Sequence, residues 1–160
     1  MTIDEHSCCC PSEICNSSVC RVCGNPGTPV SAITIESLVR RERMSLLTSP
    51  EGFSFCHTPA CAVVYFNNDA DEYIEKGDAK VRVGIKETED PRPICYCFGW
   101  TRGQIDDEVA RTRKCSAVED ITAKIKTLGC DCQRNNPSGV CCLKDVKNYI
   151  AATREQAGRK

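Results

Sequence analysis

ICYCFGW at residues 94–100 and GCDCQRNNPSGVCCL at residues 129–143 decide how the second half of this chain must fold. A C-x-C turn holding Cys95 and Cys97, and a second cysteine-rich loop represented chiefly by Cys132 and Cys142, provide four thiolates that can bridge two irons and their sulfides. The segment between them must run out and come back. Thr101 with Gln104 fits a capping box, and Ile105 and Val109 then lie one turn apart on a buried face. Ser116 with Glu119 repeats the device, and behind it Ile121, Ile125 and Leu128 make a stripe that Gly129 ends. A turn at residues 113–116 returns the chain to the C-x-C loop. Cys142 then opens a last helix, with Leu143, Val146, Tyr149 and Ile150 on its inner face. Free backbone amides at that helix start favour thiolate and cluster charge. Trp100, two residues after Phe98, is expected to pack beside the cluster and exclude water.

The first half carries a different pattern. CRVCGNPGTP from residue 20 is a knuckle in which Cys20 and Cys23 form C-x2-C, and Cys56 and Cys61 form C-x4-C in a strand-turn context. Two such turns can close a tetrahedron around a metal with no geometric preference of its own, which describes structural Zn2+. His57 adjoins Cys56 and is placed to substitute for a thiolate, although a single histidine is more often a hydrogen-bonding residue. A short helix is expected over residues 35–43. Strands are expected around Phe53 and Phe55, over residues 63–66, and over residues 80–86, where Val81, Val83 and Ile85 alternate with Lys and Arg. The charged, proline-containing KETEDPRP is the boundary. The fold class is therefore α+β: a small zinc-knuckle, treble-clef-like α+β module over residues 20–90, followed by a three-helix 2Fe-2S module over residues 91–153. Residues 1–19 read as a disordered cysteine-rich tail and residues 154–160, REQAGRK, as a mobile end.

Composition supports metal over disulfides. Cysteine supplies 15 of 160 residues, in the ~8–10% range that marks a disulfide scaffold or a metal protein. The count is odd, the cysteines sit in close pairs, and no basic-then-apolar leader opens the chain, so a cytoplasmic location with reduced thiols is expected. A net charge of −1, from 21 basic and 22 acidic residues, provides no field for a polyanion, so nucleic acid is not an expected partner. No apolar run approaches the roughly 18–20 residues that span a bilayer, so no membrane association is expected.

The motifs together carry a family resemblance. CYC followed by a capped helix pair and a glycine-cysteine loop looks like the bacterioferritin-associated ferredoxins, which hold a 2Fe-2S cluster on a short helical fold. With both halves taken together, the CRVC knuckle, FSFCHTPACAVVYFN, VRVGIKE, PICYC and NPSGVCCL, in that order, resemble the N-terminal region of CopZ-type copper chaperones. The resemblance implies zinc at Cys20, Cys23, Cys56 and Cys61, and the cluster at Cys95, Cys97, Cys132 and Cys142. The ferredoxin pattern separates its last two ligands by only two residues, whereas Cys132 lies ten residues before Cys142, so Cys130 and Cys141 stand as credible substitutes. Chaperones of this type also carry a ferredoxin-like copper-carrying domain, which nothing after Ile150 is expected to form.

Cys8, Cys9, Cys10 and Cys15, with His6, form a cluster of soft ligands that could take Cu+. Cys115 reads as a buried small residue, and Asp106, Asp107 and Glu108 as a solvated helix face. There is no Ser/His/Asp set and no phosphate loop, so an enzyme is not expected beyond a metal-reductase-like activity through the cluster. The expected role is a one-electron redox and metal-handling accessory in copper or other soft-metal homeostasis, with a copper chaperone, metal transporter or redox enzyme as partner. The competing readings are a ferredoxin-like electron carrier and a structural or sensor metalloprotein.

Overall fold

The computed structural model describes residues 19–159. The predicted tail, with His6, Cys8, Cys9, Cys10 and Cys15, lies outside the described residues. The first half is built on an antiparallel sheet in the order β1 (Gly27–Pro29), β2 (Ser54–Cys56), β3 (Val63–Asn67) and β4 (Glu72–Glu75). Two short helices, α1 (Ala32–Leu38) and α2 (Arg41–Met44), fill the connection between β1 and β2. The single helix expected over residues 35–43 is thus broken. Val39 is extended and bridges Ala79, while the N–H of Arg40 donates to the Asp78 carbonyl at 2.7 Å and that of Lys80 to Leu38 at 2.7 Å. Tertiary pairing outweighs the helical preference of this segment.

β3 is buried along its whole length. A register shift between Val63 and Tyr65 interrupts the two-residue alternation, as an inserted residue does in a β-bulge. Val64 and Tyr65 therefore join Ile35, Phe53, Phe55 and Ile74 in one core, while Val63 and Phe66 pack against Cys20, Cys56 and Cys61 in another. The strand expected over residues 80–86 does not form. Val83 is buried as its spacing predicts, but the chain then tightens into a 3₁₀ turn, Gly84–Lys86. A Cβ at Gly84 would stand 1.8 Å from the Pro93 carbonyl oxygen. That close backbone approach seats the turn against the second half and leaves no edge for a ladder.

The second half begins with the hairpin β5 (Pro93–Cys95) and β6 (Trp100–Thr101), then α3 (Arg102–Thr112), α4 (Ala117–Leu128), the short α5 (Cys132–Asn135) and α6 (Leu143–Gly158). The capping box at Thr101 forms as read: Gln104 N donates to Thr101 Oγ1 at 3.3 Å, and Thr101 N to Gln104 Oε1 at 3.0 Å. Ser116 makes no such cap; its N–H donates instead to Glu108 Oε1 at 3.1 Å. Ile121 is buried and Ile125 partly so, but Leu128 is 76% exposed, one turn too far along α4 to reach the core. α6 packs on α3 and α4 through Val146 and Ile150 and continues to Gly158, beyond the predicted fraying point.

The two halves meet. Tyr65 Oη donates to the Pro137 carbonyl at 2.6 Å, α1 packs on α5, and Tyr96 Oη donates to Arg82 O while accepting from Gly84 N. The charged boundary segment is held by Arg82, which binds the carbonyls of Glu89 and Pro91 and the carboxylate of Glu87. Among the described residues, no helix is long and apolar enough to cross a membrane.

Candidate metal centres

Cys20 and Cys23 sit on a tight turn closed by Gly24 N to Cys20 O at 2.7 Å and Cys20 N to Asn25 O at 2.9 Å, with Gly24 at φ +77°. Cys56 ends β2, and a turn from Thr58 to Cys61 returns the second thiol of that pair. The four sulfurs all lie within 4.8 Å of one another, with Cys20–Cys61 at 4.0 Å and Cys23–Cys56 at 3.7 Å. Four sulfurs at 2.3 Å from a tetrahedral zinc would be separated by about 3.8 Å, so the quartet fits that ion. Its electrostatics are divided. Burial pushes Cys61 up to about 12. Burial also opposes ionisation of Cys23, but the Thr58 hydroxyl, the Asn25 amide and neighbouring thiols outweigh it and hold Cys23 at about 6. His57 takes no part: its Nε2 pairs with Thr28 Oγ1 at 2.9 Å, and its ring stands edge-on to Phe55.

The second quartet is arranged as two pairs. Cys97 and Cys132 approach to 3.8 Å between sulfurs, and the Cys95 and Cys142 thiols perturb each other's ionisation. Among the described residues only the first quartet gathers its sulfurs into a single group within 4.8 Å. The second therefore presents separate thiol pairs rather than one tetrahedral group. The β5–β6 hairpin positions Cys95 and Cys97, its turn closed by Gly99 N to Cys95 O at 2.9 Å. Cys132 opens α5, and Cys142 stands at the N-terminal end of α6.

Cys95 is fully buried, yet the neighbouring Cys142 thiol holds it down at about 7 against the opposing effect of burial, helped by the amides of Phe98 and Cys97. Cys142 is raised in turn, by the Cys95 thiol beside it and by burial. Asn135 Nδ2 donates to Cys97 Sγ at 3.6 Å. Cys130 and Cys141 are exposed and join neither pair, while Cys115 is buried in the helical core as expected. Trp100 is partly buried against that core and donates Nε1–H to Asp120 at 2.8 Å. Asp106 is not simply solvated: it accepts from Arg92 at 3.0 Å and Tyr149 at 2.8 Å, tying the residue before β5 to α3 and α6.

A cavity of about 670 Å³ opens between the halves beside Phe55, Tyr96, Arg102 and Tyr149, and no thiol lines it.

Residues 17–80 match a family model described as a zinc binding domain, and all four thiols of the first quartet fall within that match. Over 123 residues the chain is 37% identical to the copper chaperone CopZ of Archaeoglobus fulgidus, covering 77% of this chain and 57% of that protein. The X-ray structure of the A. fulgidus CopZ N-terminal domain is 34% identical, with a TM-score of 0.69, and the alignment covers 81% of this chain and 95% of that one. The chain belongs to the CopZ N-terminal domain family. It spans a little over half the length of the full CopZ relative. Both halves of this CopZ-type chain therefore fall within one known architecture, the sheet with its zinc-binding turns and the helices that follow.

The residues that sequence reading missed are those that serve the thiols rather than supply them. Asn135 had no pattern to mark it. Lys86 falls at a position that the VRVGIK alternation assigns to solvent, yet it is 4% exposed.

Proposed function

We propose that this chain is a zinc and 2Fe-2S protein that handles copper or another soft metal. Cys20, Cys23, Cys56 and Cys61 hold a structural zinc, and Cys95, Cys97, Cys132 and Cys142 hold the cluster. The observation that carries the reading is the approach of Cys97 to Cys132 at 3.8 Å, with Cys95 and Cys142 both buried in the adjoining core. When bound, a 2Fe-2S cluster supplies one electron at a time, which suffices to take Cu2+ as substrate to Cu+ and is replaced by a one-electron donor. The chain's own residues prepare that site. Backbone amides of Phe98 and Cys97 donate to the Cys95 sulfur, Asn135 donates to Cys97, and Phe98 and Trp100 cover the core side of the hairpin against water. The name of the CopZ relative supports copper as the metal handled, and Cys8, Cys9, Cys10 and Cys15 supply soft ligands that would hold Cu+.

A second reading has its own observation. Leu128 and Val140, 76% and 58% exposed, flank the loops that carry Cys130 and Cys141, and an apolar rim of this kind suits docking by a larger redox enzyme. Anaerobic purification with metal analysis, and EPR before and after dithionite, tests the main reading. A reducible 2Fe-2S signal with one zinc per chain is the expected result, and zinc alone would overturn it. Deleting residues 1–18 then separates the two roles: loss of Cu+ binding with the cluster retained supports metal handling, and unchanged Cu+ binding favours electron transfer.

A further inference from the structure

Lys86 ends the 3₁₀ turn of the first half and is almost completely buried. Its Nζ donates to the carbonyl oxygens of Thr58 at 2.8 Å and Cys61 at 3.2 Å. Both belong to the loop that carries the Cys56–Cys61 pair. A buried ammonium needs acceptors for its protons, which these carbonyls supply, and also a counter-charge, which they do not. Among the described residues Lys86 makes no ion pair. The neighbouring Glu87 is committed elsewhere, to Lys76 at 3.5 Å and Arg82 at 3.2 Å. The negative charge adjoining Lys86 is therefore that of the thiol quartet, since Cys61 presents a sulfur to the site and its carbonyl to the ammonium. Four thiolates around a divalent ion leave two negative charges in a buried place, and one lysine offsets half of that excess.

We propose that Lys86 is the built-in counter-ion of the four-thiolate centre, a positioning residue that clamps the Thr58–Cys61 turn and balances the charge of the occupied site. The proposal rests on the zinc reading of that quartet. It lies outside the segment that matches the zinc binding domain, which ends at residue 80.

The test uses the full chain with Lys86→Met and Lys86→Gln, zinc affinity being measured by chelator competition. Both variants are expected to bind zinc at least about tenfold more weakly, the range found for groups that support metal ligands. Glutamine retains hydrogen bonds to the two carbonyls without the charge, so it carries the comparison if Lys86→Met fails to fold. A cobalt-loaded sample provides a readout that a purely structural role would not move. With the nearby cation gone, the thiolate-to-cobalt charge-transfer band of Lys86→Gln shifts to longer wavelength, because its sulfur electrons are held less tightly. Wild-type affinity together with an unmoved band in Lys86→Gln would overturn the inference and leave the zinc reading standing. Failure of the wild-type chain to bind zinc would overturn both.

Discussion

Cys130 and Cys132 differ by two positions and by everything that matters chemically. Cys132 meets Cys97 at 3.8 Å and receives the backbone N–H of Cys142, whereas Cys130 points into solvent. The same contrast separates the buried Cys142 from the exposed Cys141. Cys132→Ala is therefore expected to abolish the 2Fe-2S absorbance of the anaerobically purified protein, while Cys130→Ala leaves it at the wild-type level. Equal loss in both variants would mean that the loop rearranges around its metal. The sequence narrowed this choice without closing it, because both cysteines lie in the same short loop, and burial is decided by where α5 begins. Cys95 and Cys97 required no such choice, since their C-x-C turn has no competing cysteine nearby. Lys86 was illegible for the opposite reason: its position in the alternation assigns it to water, and only the turn at Gly84 places its ammonium beneath the zinc loop.

Among the elements, α3 shows what local sequence can specify. Thr101 and Gln104 exchange their hydrogen bonds within four residues, so the start of α3 was readable from the chain alone. The start of α4 at Ser116 was readable too, but its capping partner was not, because it comes from eight residues upstream. The Glu108 carboxylate accepts from Ser116 N at 3.1 Å and from the Cys115 thiol at 3.6 Å, and hydrogen bonding at Ser116 holds its pKa below the ordinary glutamate value. A depressed carboxylate contributes stability that is fully present above its unfolded pKa, about 4.3, and is lost as the pH falls towards the folded value. Glu108→Gln is thus expected to destabilise the chain near neutrality by no more than about 1 kcal/mol, given the group's partial exposure. Urea midpoints of the two proteins should converge as the pH is lowered from about 5 to about 3. A gap that stays constant through that window would show that the carboxylate acts by shape rather than by charge.

At the scale of the whole molecule, the zinc turns and the second thiol loop are mechanically connected. The first quartet packs on Val63 and Phe66 of β3, and the same strand carries Tyr65, whose hydroxyl reaches the buried carbonyl of Pro137 in the loop between Cys132 and Cys142. Gly139 of that loop lies against Thr34 of α1, where an added Cβ would stand 3.0 Å from the threonine hydroxyl. Metal binding that closes such small turns is itself folding free energy, so stripping zinc should loosen β3 and release what it holds. Chelation of the zinc is therefore expected to raise amide hydrogen exchange at residues 138–140 as well as at residues 20–25 and 56–61, while α3 and the middle of α6, whose core is separate, stay protected. Tyr65→Phe leaves the Pro137 carbonyl without its donor, at a cost of about 1–3 kcal/mol for a fully unsatisfied group, and should raise exchange at residues 138–140 with zinc still bound. If chelation opened only the first set of residues, the two halves would be packed together without being coupled, and the zinc would serve its own turns alone.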